Sequence, residues 1–207
     1  SLGATINIIL ASVKTKGQTI INNPSLEPEV LDLINILNKM NANIIIQDSK
    51  IIITGVKKLK GTTHKIIPDR IEAGTYIIAG ALLGDNLKIE NIIPEHVESL
   101  TLKLKEMGVK MNIGLDYIII NKGEKLKPVN LRTLGYPGFP TDLQQPITVL
   151  LTQCNGISIL EETIYENRFQ NVPYLNEMER FLLRALCLDD ASDMFEYSKR
   201  DDVTRYL

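Results

Sequence analysis

The sequence predicts an α/β fold assembled from repeated units, each a helix, a strand, a second helix and a strand pair. Three observations point there. Leu37-x-x-Met40 and Leu104-x-x-Met107 lie 67 positions apart, and Gly17 and Gly84 keep that interval; self-similarity at a fixed period marks a repeat architecture. Helix-like segments rich in small and apolar residues each run to a glycine: 4–16 before Gly17, 70–83 before Gly84 and 142–155 before Gly156. Short apolar runs bounded by turn residues follow each of them, as strands do.

Taken in order, a glycine just past each helix is expected to stop it by entering the left-handed conformation. Strands are expected at 19–22, 87–90 and 158–161. Pro28-Glu29 and Pro94-Glu95 then read as helix starts with an acidic first turn. In the second unit Val97, Leu100, Leu104 and Met107 share one helical face. Strand pairs 43–46 with 51–54 and 110–113 with 117–121 close the complete units through loops suited to hairpins. The all-round apolar character of Ile6, Ile8, Ile9 and Leu10 implies a buried helix with sheets outside it. An ordinary two-layer α/β sandwich is the alternative. A third unit starts, since Leu175-x-x-Met178 lies 71 positions beyond Leu104-x-x-Met107, but no hairpin follows.

Composition narrows the function classes. With 44% hydrophobic and 23% charged residues the chain is an ordinary globular one. A net charge of -2 gives no basic field for nucleic acid, and every apolar run is too short to span a membrane. Residues 1–4 lack a secretory signal, and without an initiator Met the natural start is expected upstream. Cys154 and Cys187 fit no disulfide framework, metal spacing or redox motif, and a reducing cytoplasm is the default expectation. His64 and His96 stand far apart without nearby Cys, so no zinc site is expected. Dinucleotide, P-loop, nucleophile-elbow and metal motifs are absent.

Four segments can carry chemistry. Asp142 follows Pro137-Gly138-Phe139-Pro140-Thr141 in the first turn of a helix, where the dipole keeps a carboxylate ionised and able to accept a hydroxyl proton; a plain capping Asp is the alternative. Arg168 is a fixed cation able to clamp a carboxylate or phosphate, or a surface ion-pair partner of Glu166 or Glu162. Ser1-Leu2-Gly3-Ala4-Thr5 opens a helix whose free N–H groups can hold phosphate. Asp69, Arg70 and Glu72 read as a capping and ion-pair cluster at the next unit's helix.

Together these segments resemble a known family. Ser1-Leu2-Gly3-Ala4-Thr5-Ile6-Asn7, Pro68-Asp69-Arg70-Ile71-Glu72-Ala73-Gly74-Thr75, Phe139-Pro140-Thr141-Asp142-Leu143-Gln144 and Glu166-Asn167-Arg168-Phe169-x-x-Val172-Pro173 resemble the UDP-N-acetylglucosamine 1-carboxyvinyltransferases, an enolpyruvyl transferase family, over residues 1 to about 178. The resemblance implies an inside-out α/β barrel fold, with residues 1–60 ending one globe and 66–178 beginning the second. It implies transfer of the enolpyruvyl group of phosphoenolpyruvate to the sugar 3-hydroxyl, with phosphate released, in peptidoglycan synthesis and without metal or organic cofactor. It implies that Asp142 and Arg168 are catalytic. Asp142 then faces the sugar hydroxyl, Arg168 lies near the reacting centre, and Ser1, Leu2 and Ile164 touch the nucleotide-sugar. The family's acid loop with its reactive Cys, and a Lys-Asn pair for phosphoenolpyruvate, fall before Ser1, so part of the site is expected to be missing. A non-catalytic binding domain of the same fold is the competing function. Residues 179–207 read as an unrelated tail; from Met178 the sequence resembles the opening strand and helix of a GNAT-type N-acetyltransferase.

Overall fold

The computed structural model describes residues 1–178. The chain divides into two compact units, 1–168 and 169–207. Of the second, helix α6 (Val172–Met178) is described, its first turn tied by Val172 N–H to Phe169 O. The acetyltransferase-like tail lies outside the described residues.

In the first unit the order is α1 (Leu2–Ser12), β1 (Gln18–Asn22), α2 (Pro28–Lys39), β2 (Asn43–Gln47) and β3 (Lys50–Thr54). Next come α3 (Arg70–Leu83), β4 (Leu87–Glu90), a 3-10 turn (Pro94–Val97), α4 (Glu98–Glu106), β5 (Met111–Ile113) and β6 (Tyr117–Ile120). Then follow β7 (Leu131–Arg132), a 3-10 turn (Thr141–Leu143), α5 (Gln144–Leu151) and β8 (Leu160–Glu161). The two complete repeats form antiparallel three-stranded sheets of the same topology, β1-β3-β2 and β4-β6-β5. Among the described residues no helix is long and apolar enough to cross a membrane.

The repeat has a hydrogen-bonded cause. Helices α2 and α4 end in the same C-terminal motif. Ala42 N–H bonds Leu37 O and Val109 N–H bonds Leu104 O, while Asn41 (φ 74°) and Gly108 (φ 91°) take the left-handed position. The interval of 67 also relates the partners of the sequence-read anchors: Lys60 N–H to Met40 O matches Lys127 N–H to Met107 O. Gly55 N–H to Gly17 O likewise matches Lys122 N–H to Gly84 O. Hairpin partners Ile46 and Ile51 become Ile113 and Ile118. The inward residues Ile51 and Ile53 of β3 become Ile118 and Ile120 of β6, all fully buried. Strand β4 alone slips by one residue: Thr19 faces Ile53 in the first sheet, whereas Leu87 faces Ile120 in the second.

Each repeat closes its own core. One gathers Ile9, Val13, Val30, Ile34, Leu37, Ile51 and Ile53; the other gathers α3, α4, β6 and α5 around Ile77, Leu100, Leu104, Met107 and Ile147. Between them runs a polar junction on one face of α2. Glu29 holds Arg70 at the start of α3 through two hydrogen bonds of 3.1 and 3.2 Å. Asp32 holds His64 Nε2 at 2.8 Å, and Lys39 Nζ lies 3.2 Å from His64 Nδ1. A cavity of about 470 Å³ opens beside these groups.

Several expectations need correction. Helix α1 spans Leu2–Ser12, and it is not buried all round, because Ile8 and Leu10 are 41% and 49% exposed. Among the described residues α1 packs chiefly on α2, β1 and β3, whereas α3 packs tightly on α5, where a Cβ at Gly74 would meet Leu143 Cδ1 at 2.5 Å. Gly84 stops α3 without entering the left-handed region (φ -67°); a Cβ there would lie 2.5 Å from Gly80 O. The helix expected over 142–155 is a 3-10 turn followed by the shorter α5. Cys154 therefore sits beyond that helix, half-buried, and burial raises its thiol pKa.

Candidate functional site

The site grows from the parallel pair β7 and β8; the strand expected at 158–161 is the shorter β8, while its partner β7 was not expected, because a two-residue strand carries no periodicity. Thr133 N–H bonds Glu161 O at 2.9 Å and extends the pairing to the point where both chains turn away. On one side Gly138 N–H bonds Gly135 O and Leu134 N–H bonds Phe139 O, both at 2.9 Å, making a compact loop. Phe139 is buried in the second core and pins that loop. Pro140 then starts the 3-10 turn carrying Thr141 and Asp142 into α5. On the other side the chain passes from Glu162 to Arg168.

These two segments meet. Arg168 Nη2 donates to Asp142 Oδ1 at 2.6 Å, and Arg168 Nη1 donates to Thr141 Oγ1 at 3.1 Å. The Arg168 guanidinium lies 5.1 Å from the Tyr165 ring centre, a supporting cation–π distance. Asp142 does not cap its helix, since Pro140 occupies that position. Arg168 pairs with neither Glu166 nor Glu162; Asp142 is its ion-pair partner. Among the described residues no hydrogen bond reaches Asp142 Oδ2, and the side chain is 53% exposed. An ionised carboxylate with one free oxygen stands beside a guanidinium with donors to spare. Such a pair can accept a hydroxyl proton while the cation holds a developing negative charge.

Beneath the pair lies a residue that sequence reading named only as an ion-pair alternative. Glu162 Oε1 accepts from Thr133 Oγ1 (2.8 Å), Ile164 N–H (2.7 Å) and Tyr165 N–H (3.1 Å); Oε2 accepts from Thr141 Oγ1 (2.8 Å). Burial pushes its carboxyl pKa up, but the Ile164, Thr133, Thr141 and Tyr165 hydrogen bonds outweigh that, and the net shift is downward. Nothing in the local sequence marks Glu162, because its hydroxyl partners lie 21 and 29 positions away.

Ser1, Leu2 and Ile164 were also expected at the site. Ser1 caps α1 by accepting from Ala4 N–H at 3.3 Å, and Leu2 packs half-buried against the first core. Among the described residues no hydrogen bond or ion pair joins either to Asp142 or Arg168. Ile164 sits in the turn beside them with its N–H held by Glu162 and its side chain 45% exposed.

Comparisons with solved structures place the architecture. The enolpyruvyl transferase NikO from Streptomyces tendae superposes with a TM-score of 0.78 at 28% identity, over 84% of this chain and 42% of that one. EPSP synthase from Acinetobacter baumannii shares the fold at a TM-score of 0.57 and 18% identity. The class defined by the repeats is therefore the enolpyruvyl-transferase-type α/β fold. The family described as EPSP synthase (3-phosphoshikimate 1-carboxyvinyltransferase) matches residues 1–180, and the chain belongs to it. Within that family the chain is 53% identical over 179 residues to UDP-N-acetylglucosamine 1-carboxyvinyltransferase 2 of Geobacillus kaustophilus, and 52% identical over 180 residues to the protein of that name from Bacillus subtilis. It spans 42% of the length of each. The acetyltransferase resemblance from Met178 onward is not borne out: the family match stops at residue 180 and no acetyltransferase stands among these relatives.

Proposed function

We propose that this chain is part of an enzyme that moves the enolpyruvyl group of phosphoenolpyruvate to the 3-hydroxyl of UDP-N-acetylglucosamine, releasing phosphate. The observation that carries the reading is the 2.6 Å contact between Asp142 and Arg168, two residues of separate motifs brought to one exposed spot. The names of the relatives supply the substrates. In the addition step the sugar hydroxyl oxygen bonds C2 of phosphoenolpyruvate and gives up its proton, while C3 gains one. Elimination then removes a C3 proton and expels phosphate.

Asp142 accepts the hydroxyl proton through its free oxygen, and Arg168 balances negative charge at the reacting centre. Ile164 offers its side chain to the nucleotide-sugar, and the α1 start at Ser1 and Leu2 offers further contact. The two separate cores support residues 1–60 as the end of one globe and 66–178 as the start of the other. The reaction belongs to cell-wall synthesis in the cytoplasm.

Calorimetric titration of the purified chain with UDP-N-acetylglucosamine tests the reading. Binding is expected, weakened about tenfold or more by Asp142→Ala; no binding, or binding indifferent to that substitution, refutes it. Phosphate release from the two substrates is expected to stay at background, because the chain spans 42% of the length of the relatives it matches.

A further inference from the structure

We propose that Glu162 is the positioning residue of the site, and that it acts by fixing the proton direction of the Thr141 hydroxyl. A guanidinium can only donate hydrogen bonds, and an ionised carboxylate can only accept them. Thr141 stands between the two, 2.8 Å from Glu162 Oε2 and 3.1 Å from Arg168 Nη1. Its single proton must therefore point to Glu162, which leaves its lone pairs facing Arg168. The negative charge of Glu162 thus reaches Arg168 through one hydroxyl. Arg168 in turn keeps its second nitrogen on Asp142 Oδ1.

Thr133, fully buried, is oriented by the same carboxylate. It donates to Glu162 Oε1 and accepts from Thr163 N–H at 2.9 Å. One acceptor-only group thereby sets two hydroxyls and the turn at 164–165. It touches neither Asp142 nor Arg168 directly, so it acts through Thr141.

The crowding of Oε1 makes the role testable with an isosteric change. In a Glu162→Gln variant the amide oxygen must stay at the ε1 position, where three donors converge. The amide NH2 then faces the Thr141 hydroxyl. Thr141 then has no acceptor at residue 162, its proton direction is released, and the lone pair facing Arg168 is no longer fixed. A Thr141→Val variant removes the link while nearly preserving volume, and Thr141→Ser keeps it.

The proposal rests on the reading of Asp142 and Arg168 as substrate-contacting groups, and the experiment separates the two. The side-chain Nε–H signal of Arg168, identified by its loss in Arg168→Lys, is followed by nuclear magnetic resonance in the purified chain. Glu162→Gln and Thr141→Val are expected to shift and broaden that signal, Thr141→Ser to leave it near the wild-type position, and the Ile45 amide in the first sheet to stay unmoved in all three. An unchanged Arg168 signal in folded Glu162→Gln overturns the proposal. Should that variant not fold, equal signals in Thr141→Val and Thr141→Ser overturn it instead. UDP-N-acetylglucosamine titration is the second arm, with about tenfold weaker binding expected for both disruptive variants. Absence of binding by the wild-type chain would defeat the functional reading while the Arg168 signal still decides the role of Glu162.

Discussion

Arg70 and Arg168 each hold a carboxylate brought from a distant segment, yet the two pairs are built to opposite ends. Arg70 uses Nε and Nη2 to grip both oxygens of Glu29, and its side chain is only 11% exposed. It also lies 5.6 Å from the Tyr136 ring centre. Both oxygens of Glu29 are engaged. Arg168 contacts Asp142 through one nitrogen and one oxygen, and more than half of the Asp142 side chain faces solvent. A two-point, closed pair fixes the backbone elements it joins; a one-point, open pair keeps capacity for a ligand. The same residue types therefore make a clamp between two cores in one place and, under the proposed function, a receptive surface in the other.

The largest expected effect breaks the closed pair. Arg70→Ala leaves Glu29 without its partner at the junction and should cost about 2 kcal/mol in urea unfolding. Glu29→Ala should cost a comparable amount, and the double variant little more than either alone, because the two lose one shared interaction. Additive losses would show that the pair is not coupled. His96 provides an internal check. Its pKa is lowered first by burial and then by the positive charge of Arg70, so in Arg70→Ala its titration should move up toward the ordinary histidine value. An unmoved His96 would place Arg70 elsewhere in solution.

How much of this was legible beforehand depends on the range of the forces involved. The repeat could be read because it rests on local chemistry: a Leu that accepts the N–H bond closing the last turn, and an Asn or Gly in the left-handed position four residues on. Helix α3 was bounded correctly, Arg70–Leu83, by a cap at Asp69 that bonds Ile71 and Glu72 N–H groups. Exposure of α1 was not legible, since apolar composition says that a face seeks cover and not whether cover is present. The Asp142–Arg168 contact joins two residues that sequence reading had linked only through the family resemblance. The Glu162 hub was missed because every partner that matters beyond its own turn arrives through the β7–β8 pairing, a contact without sequence pattern.

A second, smaller effect sharpens the contrast through pH. The folded-state carboxyl of Glu162 titrates below its ordinary value. A lowered carboxylate pKa means that its contribution is fully present above the unfolded value, near 4.5, and is lost as pH falls through the lower folded value. Acid titration of the Ile164 and Tyr165 amide signals should accordingly show a midpoint below the usual glutamate range of about 4.3. The hydrogen bonds at 162–165 should release while the first sheet remains intact. A midpoint at or above the ordinary range would mean that the four donors do not outweigh burial.

The smallest effect on stability is expected at the receptive pair itself. Asp142→Ala removes a single exposed ion-pair contact, and such pairs contribute about 0–1 kcal/mol. Arg168 retains Thr141 Oγ1 and the Tyr165 face, so no buried charge is stranded. The urea midpoint should therefore shift far less than for Arg70→Ala, although binding of UDP-N-acetylglucosamine falls. That dissociation of stability from binding is what separates a group presented to a ligand from one consumed by the fold. A loss of stability as large as that of Arg70→Ala would make Asp142 a structural clamp. It would erase the difference between the two arginines and remove the main support for reading the α5 start as the site.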